Sequence, residues 1–327
     1  MMEQQALQHV LSTLRHVLQR SEQFSGETTV ALDAGSFTAD LSPEYFMSLK
    51  PADAGTVAAI DGSSCRALDG LSFVVSLSRA AGVTADMDEI HATEATDVRA
   101  VALSRETMRD MFLDAYGELS DVQPTSLPDT LEDAAAALRD LREQMLAREM
   151  IEQLNAGDLC LLDGALYGNR WLQPVVDGTC RLAAERNVHL ASVSKRSDLA
   201  AGGMPLLYWM TRQGNAVLPG QRWLYPLCPE RGMYVARLHP AARHVFRVDV
   251  SPHVDTPGMV LRRLAMLSDD VATLGYPYPL AAVHRAVVLS ADEVSYWRRR
   301  LRERAMDAGF THDDWEGLFY DYHAYLE

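Results

Sequence analysis

Two Asp-Gly pairs, each following an apolar run, are the strongest chemical signal in the sequence. Asp61 follows the apolar residues of TVAAIDGSS, and Asp163 follows those of DLCLLDG. Both runs are typical of buried strands, so we expect each strand to stop at its aspartate, at the rim of a sheet. The glycine that follows permits a sharp turn and leaves space for a ligand. Two carboxylates on neighbouring strand ends can share hard divalent cations such as Mg²⁺ and Mn²⁺.

The same two pairs also have a purely structural interpretation. Asp-Gly after a strand is an ordinary turn sequence, and one such pair is structural more often than functional. Its repetition at two matching strand ends favours a metal site over two unrelated turns. Two ions about 4 Å apart would activate water and stabilise the leaving oxygen in phosphodiester cleavage.

A third carboxylate is expected on the long helix predicted for residues 131–154. If this helix runs antiparallel to the strand that follows it, a position about eleven residues before its end lies level with Asp163. Glu143 is near that position and falls on the apolar face of the helix. A carboxylate in an apolar stripe needs a reason such as a metal ion. Glu149 and Glu152 point more to the polar side and stay as alternatives.

Two other side chains could complete the site. His284 follows the proline-rich turn GYPYPL and lies in a run of alanine and valine. A histidine in such a run is usually a packed core residue, but as a fourth ligand it would complete an Asp/Glu/Asp/His set. Lys195 ends the predicted strand VHLASVSK, beside the strand of Asp163. A lysine at a strand end is often only solvated, whereas beside a metal it would bind phosphate as a point charge.

The elements that must position these residues indicate a mixed α/β sheet. After an N-terminal helix and a loop-like stretch to about residue 53, the patterns predict strands at 57–61, 71–83 and within 86–103. The helix at 131–154 follows, and then a strand at 158–164, a helix at 171–186 and a strand at 188–195. We expect β-like structure over 205–250, a helix at 257–273 and a final helix. The sequence has no internal repeat and no low-complexity linker that would divide it.

Composition is that of an ordinary soluble enzyme, with 48% hydrophobic and 23% charged residues among 327. No apolar run approaches the roughly 18 residues of a membrane span. The N-terminal segment has helical apolar spacing without the features of a secretory signal, so we expect a cytoplasmic protein. The four cysteines form no C-x-x-C pair, which argues against a zinc ribbon and predicts free thiols.

The net charge of -15 argues against a nucleic-acid partner, but the basic residues are unevenly distributed. Arg243 and Arg247 belong to one basic segment and are candidates to follow a DNA backbone. A second basic run, WRRRLRER, is either another such surface or a solvated helix face. Tyr276 and Tyr278 could stack on an unpaired base, with core packing as the alternative.

Several of these segments, taken together, resemble the NurA nuclease family. They are AIDGSS, LLDGALY, VSKRS, LHPAARHVFRVDV and GYPYPLAAVHRA, which occur in the family's order and span about residues 57–290. The resemblance implies an RNase H-like fold, manganese-dependent DNA nuclease activity, a homodimer and a HerA-type hexameric ATPase as partner. Asp61, Asp163 and His284 match the family's motif positions. Ala165 stands where a serine is expected, which leaves the aspartate intact.

We therefore predict a single nuclease domain over residues 1–327, with an RNase H-like α/β core at about 55–290. A helix at 1–25 and a helical segment at 291–327 would extend it. Asp61, Asp163 and a glutamate would bind one or two Mn²⁺ or Mg²⁺ ions with His284 assisting, and a water so activated would attack the phosphodiester in line.

The predicted activity is a 5'-3' exonuclease, a single-strand endonuclease, or both, acting in DNA end processing at double-strand breaks. A phosphohydrolase of small phosphate esters could use the same carboxylates. A non-catalytic module that binds DNA or an ATPase is a further alternative, although such a module need not keep a full ligand set. A carboxylate-pair glycosidase is disfavoured because the five tryptophans form no visible sugar platform.

Overall fold

The computed structural model describes residues 26–319 apart from 33, 34, 71, 88 and 196, and also residues 7, 8, 11, 12 and 15. The predicted N-terminal helix at 1–25 therefore falls almost entirely outside the described residues, as do residues 320–327 of the predicted C-terminal segment. Within the described part of the chain, no helix is long and apolar enough to cross a membrane. Every cysteine is a free thiol, as predicted.

Within residues 26–319, seven strands precede the first α-helix, and strands and helices are interspersed after it. The strands are β1 (Glu27–Leu32), β2 (Gly35–Asp40), β3 (Met47–Ser48), β4 (Val57–Asp69), β5 (Phe73–Ala85), β6 (Ile90–Ala95), β7 (Arg99–Ser104), β8 (Leu159–Asp163), β9 (His189–Ser194), β10 (Ala200–Ala201), β11 (Met204–Pro205), β12 (Trp223–Cys228), β13 (Met233–Arg237) and β14 (Phe246–Val250). The helices are α1 (Met108–Gly117), α2 (Leu131–Gln153), α3 (Gln173–Glu185), α4 (Leu206–Val217), α5 (Pro257–Leu267), α6 (Tyr278–Val287), α7 (Ala291–Asp307) and α8 (His312–Phe319).

One large mixed sheet has the strand order β3-β12-β13-β14-β9-β8-β4-β5-β6, with β7 also beside β5. The central strands β4, β8 and β9 run parallel, and β4 pairs with β5 in an antiparallel ladder. Parallel neighbours need a crossover connection, and here α2 precedes β8 while α3 joins β8 to β9. This arrangement confirms the predicted RNase H-like α/β class.

Alternation along β4 and β8 divides the core between the two faces of the sheet. Val57 and Ala59 join one apolar cluster with residues of α5 and α6. Ala58 and Ile60 join the opposite cluster, with residues of α1, α2 and α3. Successive strand residues point to opposite faces, so helices on both sides are needed to bury these continuous apolar runs. The two faces thereby place α6 on one side of the sheet and α2 on the other.

Helix α2 begins where the sequence predicts and ends within one residue of the predicted boundary. Thr130 caps its start by accepting a hydrogen bond from the backbone N–H of Asp133, which satisfies one of the free amides of the first turn. The buried positions follow the predicted apolar face and include Glu143. The helix thus carries a carboxylate into the interface with the sheet.

Other parts of the fold differ from the sequence prediction. Residues 27–40 form two strands of a small four-stranded sheet instead of a loop. Residues 206–217 form helix α4 within the region predicted to be β-like, because Leu206, Trp209 and Met210 are buried at helical spacing. The uncertain strand at 86–103 is two strands, β6 and β7. The helix predicted at 257–273 ends at Leu267 and is followed by a short 3₁₀ turn.

Candidate metal centre

Asp61 and Asp163 lie side by side on the two central parallel strands. The register pairs Val57 with Leu159 and Ala59 with Leu161, so continuing it two residues places Asp61 level with Asp163. Asp61 lies two residues after Ala59, and Asp163 lies two residues after Leu161. Alternate residues of a strand point to the same face, so both aspartates lie on the face that packs against α6. Asp61 is buried and Asp163 is partly buried at the end of β8.

The prediction that a strand stops at Asp61 is wrong. β4 continues to Asp69, and its second half pairs only with β5 on one side while β8 has already ended. Asp61 therefore reaches the rim because its parallel neighbour ends, and Gly62 is a strand residue. The prediction holds for Asp163, which ends β8 and precedes a turn at Gly164 with a φ of 129°.

His284 approaches the two aspartates from helix α6. Its Nδ1 lies 2.7 Å from Oδ2 of Asp61, and its side chain is 52% exposed. One ligand atom from each of Asp61, Asp163 and His284 falls within 4.8 Å of the others. Two carboxylate oxygens and an imidazole nitrogen form a donor set suited to Mn²⁺, Mg²⁺ or a similar divalent ion.

Glu143 enters the same site from the opposite face of the sheet. Its carboxylate packs over Gly62, where a Cβ atom would lie 2.1 Å from Oε1 of Glu143. The two other glutamates considered for this role, Glu149 and Glu152, are exposed to solvent, so they are excluded by position. The function of Gly62 is thus to admit Glu143, not to turn the chain.

The Glu143 carboxylate is held in an unfavourable environment without a metal. Among the described residues, no donor hydrogen-bonds its buried Oε1 atom, although Arg139 Nε is 3.5 Å away. Burial raises the pKa of Glu143 well above its usual range, and the nearby carboxylates of Asp140, Asp61 and Asp163 raise it further against the opposing effect of Arg139. A buried carboxylate oxygen without a donor, beside two aspartates, fits a bound cation.

Lys195 lies where the sequence predicts, beside Asp163. Its Nζ is 2.5 Å from Oδ2 of Asp163 and 5.0 Å from the centre of the Tyr276 ring. Burial raises the pKa of Asp163, and Lys195 opposes that shift. Burial also raises the pKa of the Tyr276 phenol, with the negative charge of Asp163 as the next cause. The tyrosine hydroxyl therefore stays protonated next to the aspartate.

These residues open into a cleft of about 730 Å³. Its walls come from β4, α2, the segment after β8, and Lys195, and it includes Asp61, Glu143, Asp163 and His284. Arg139 also lines it, with Nη2 2.5 Å from Oδ1 of Asp140. The cleft joins a cluster of carboxylates to cationic side chains that include Arg139 and Lys195, which is the charge arrangement that a metal and a phosphate require together.

The prediction that Arg247 follows a DNA backbone is wrong. Its side chain is 1% exposed and pairs with buried Asp249, at 2.8 Å from Nη2 to Oδ2. Arg247 also donates to the carbonyl oxygen of Tyr167, and Asp249 accepts from the backbone amides of Leu166 and Tyr167. The buried pair of Arg247 and Asp249 therefore fixes the backbone of the segment that follows Asp163.

The two candidate stacking tyrosines are packed, as the alternative interpretation held. Tyr276 is buried against Phe246, with ring centres 5.3 Å apart. The hydroxyl of Tyr278 donates to the backbone carbonyls of Asp86 and Glu89. Arg243 differs because it is exposed in the loop between β13 and β14, where it is accessible to a ligand.

Sequence reasoning missed Arg139 and Asp249. Arg139 is one helical turn before Glu143, so the signal available was a charged residue on the same face of α2 as the predicted ligand. Asp249 lies in the apolar segment HVFRVDV, where a buried carboxylate needs a partner, and Arg247 at two residues' distance was the visible candidate.

The basic run of α7 is an exposed face with Arg300, Arg302 and Arg304 near acidic residues.

Carboxylates from two parallel strands, a helix glutamate and a histidine thus lie together at the edge of a mixed α/β sheet, as a donor set that could hold a divalent metal. No protein-family model and no curated protein sequence matches the chain. Among solved structures, the NurA nuclease from Sulfolobus solfataricus superposes with a TM-score of 0.51 at 18% identity, over 81% of this chain and 88% of that chain. This likeness shows that the chain has a NurA-like fold.

Two further solved structures are more distant. A NurA bound to dAMP and manganese gives a TM-score of 0.47 at 10% identity, over 83% of this chain and 92% of that one. The catalytic domain of human endonuclease V gives 0.42 at 15% identity, over 90% of this chain and 98% of that one. The fold assignment rests on the Sulfolobus solfataricus structure.

Proposed function

We propose that this protein is a metal-dependent DNA nuclease whose centre is formed by Asp61, Asp163, Glu143 and His284. The observation that carries the proposal is the convergence of the aspartates and the histidine, each with a ligand atom within 4.8 Å of the others. Glu143 supports it because its buried carboxylate oxygen lacks a hydrogen-bond donor among the described residues. The NurA-like fold supports it as well, because the solved structure that shares this fold is a nuclease.

The chain's own groups supply binding and charge. Asp61, Asp163 and Glu143 provide the carboxylates, and His284 provides an imidazole nitrogen beside Asp61. A divalent metal bound there would activate water and stabilise negative charge on the phosphodiester. Lys195 neutralises one oxygen of the phosphate as a point charge. Arg139 stays charged beside Asp140 and holds the Glu143 carboxylate within the cleft.

The finer parts of the proposal follow from the resemblance to the NurA family. They are Mn²⁺ as the preferred ion, with Mg²⁺ as the alternative and two ions per site, a homodimer, and a HerA-type hexameric ATPase that feeds DNA to it. We also propose one nuclease domain over residues 1–327. Its activity would be 5'-3' exonuclease, single-strand endonuclease, or both, in DNA end processing at double-strand breaks.

The test is a cleavage assay on end-labelled linear single- and double-stranded DNA with Mn²⁺, Mg²⁺ or EDTA. Parallel reactions contain p-nitrophenyl phosphate in place of DNA. We expect DNA degradation with Mn²⁺, none with EDTA, and negligible release of nitrophenol. Hydrolysis of the small ester without DNA cleavage would contradict the nuclease proposal and indicate a phosphohydrolase. Intact DNA under every condition, including with a HerA-type ATPase, would leave a non-catalytic binding module.

A further inference from the structure

A second cleft of about 560 Å³ adjoins the metal centre. It lies between helix α4 and the loop that joins β13 to β14, and Lys195 lines both clefts. The residues that matter for its chemistry are Lys195, Tyr208, Arg212, Arg243, Phe246 and Tyr276. Because Lys195 also contacts Asp163, this side chain links the second cleft to the metal centre.

The charge of this cleft is opposite to that of the whole protein. Lys195, Arg212, Arg243 and His244 line it, and no carboxylate does so among the described residues. Arg212 and Arg243 are exposed, and neither takes part in any ion pair within the described part of the chain. The protein has a net charge of -15, so most of its surface repels an anion. The two guanidinium groups on one concave surface therefore indicate that an anionic ligand binds there.

An exposed aromatic ring lies among these cations. Tyr208 is 42% exposed and stands four residues before Arg212 on α4, which places both on the same face of the helix. Phe246 and Tyr276 form an apolar floor. Cations beside an open aromatic ring are the combination that binds single-stranded nucleic acid, since guanidinium groups pair with phosphates and the ring stacks on a base.

We propose that this second cleft binds the unpaired nucleotides next to the scissile phosphate. Arg212 and Arg243 hold successive phosphates, Tyr208 stacks on a base, and Lys195 joins this strand to the metal centre. A duplex cannot use Tyr208 in this way because the faces of its bases are covered by their neighbours. This assignment rests on the proposed nuclease function for its position beside the cleavage site, and it specifies a single-stranded end as the substrate.

The test separates binding from cleavage by measuring affinity in EDTA. Fluorescence anisotropy of a labelled short oligothymidylate is compared with that of a blunt hairpin duplex, over a range of salt concentrations. The variants are Tyr208→Ala, Tyr208→Phe, Arg212→Gln and Arg243→Gln, with Arg109→Gln, an exposed arginine on α1, as the charge control. These side chains are exposed, so each variant should fold, and thermal unfolding checks this.

We expect Tyr208→Ala to weaken oligothymidylate binding roughly tenfold, with Tyr208→Phe close to wild type. Each of the two arginine variants should lower the slope of log affinity against log salt by about 0.7, while Arg109→Gln leaves it unchanged. Duplex binding should be insensitive to Tyr208. Unchanged affinity in all three loss variants would overturn the cleft assignment even if the protein cleaves DNA. Conversely, if the protein cleaves no DNA but the variants still lose affinity, the cleft assignment would stand and the proposed nuclease function would be wrong.

Discussion

Gly62 and Glu143 are in direct contact across the interface between β4 and α2, and neither could keep its place if Gly62 carried a side chain. A Cβ atom at Gly62 would lie 2.1 Å from Oε1 and 2.6 Å from Cδ of Glu143. The glycine is therefore a condition for bringing the glutamate next to Asp61. This contact makes the role of Glu143 testable without changing any proposed ligand.

The first prediction concerns Gly62→Ala. The added methyl group displaces the Glu143 carboxylate, so we expect Mn²⁺-dependent DNA cleavage to fall roughly 10²-fold, as a ligand displaced by about 1 Å would cause. Overpacking should also cost about 1–3 kcal/mol of unfolding free energy. Steady-state cleavage and urea unfolding measure the two effects.

Gly82→Ala is the matched control for that substitution. Gly82 is on β5 and its added Cβ would lie 2.2 Å from Sδ of Met150, also on α2. This variant should show a comparable loss of stability with near-normal cleavage. If both alanine variants lost activity to the same degree, the effect would come from displacement of α2 and not from the carboxylate.

The second prediction concerns the stability of the metal-free protein. The folded state raises the pKa of Glu143 above its ordinary 4.5, first through burial, so it holds the proton more tightly than the unfolded chain. The stability due to that proton is present below about pH 4.5 and is lost as pH rises. In EDTA, Glu143→Gln should therefore unfold at a higher temperature than wild type, with a gap that widens towards alkaline pH.

Adding Mn²⁺ should reverse this order. The ion should raise the unfolding temperature of the wild type, because it binds only the folded state, and should raise that of Glu143→Gln much less. Glu149→Gln, on the exposed side of the same helix, should match wild type in both conditions. A Glu143→Gln protein that is less stable than wild type in EDTA would contradict the strained carboxylate described above.

The third prediction concerns Lys195, which lowers the pKa of Asp163 against the effect of burial. Removing that charge by Lys195→Met should raise the pKa of Asp163, and the carboxylate must be ionised to bind metal. The pH dependence of Mn²⁺ affinity should therefore shift to higher pH, as titration calorimetry can measure. Lys195→Arg should keep the wild-type profile, whereas a shift to lower pH in Lys195→Met would contradict the assignment.

The fourth prediction concerns the buried pair of Arg247 and Asp249. Arg247→Met leaves an uncompensated buried carboxylate, so we expect a loss of about 3–5 kcal/mol in urea unfolding. Arg243→Met, on the exposed loop of the same hairpin, should change stability by about 0.5 kcal/mol or less. Equal small effects for the two variants would show that the buried pair of Arg247 and Asp249 contributes little.

Much of the centre could be predicted from the sequence because its parts are local. The apolar runs before Asp61 and Asp163 identify buried strands, and helical rise with strand rise places Glu143 level with Asp163. Glu149 and Glu152 could not be excluded in advance, since the direction of a helix face depends on how α2 packs. His284 could be placed only through the resemblance of its motif.

What could not be predicted depends on contacts between distant segments. The sequence GSSC after Asp61 reads as a turn, but β5 pairs with it in a long ladder and keeps it extended, as tertiary context often does. Helix α4 contains Gly214 and two aromatic residues, a composition that suggests strands. Arg247 looks like a surface cation in a basic segment until Asp249 and the backbone of Tyr167 are brought against it.

The most direct measurement is DNA cleavage as a function of Mn²⁺ concentration, for the wild type, Asp61→Asn and Asp53→Asn. Asp53 is an exposed aspartate in the turn before β4, where its carboxylate accepts a hydrogen bond from Gly55. We expect saturable, Mn²⁺-dependent cleavage that is lost in Asp61→Asn and retained in Asp53→Asn. Cleavage that persists in Asp61→Asn, or in the wild type after complete removal of divalent metal, would contradict the proposed metal centre.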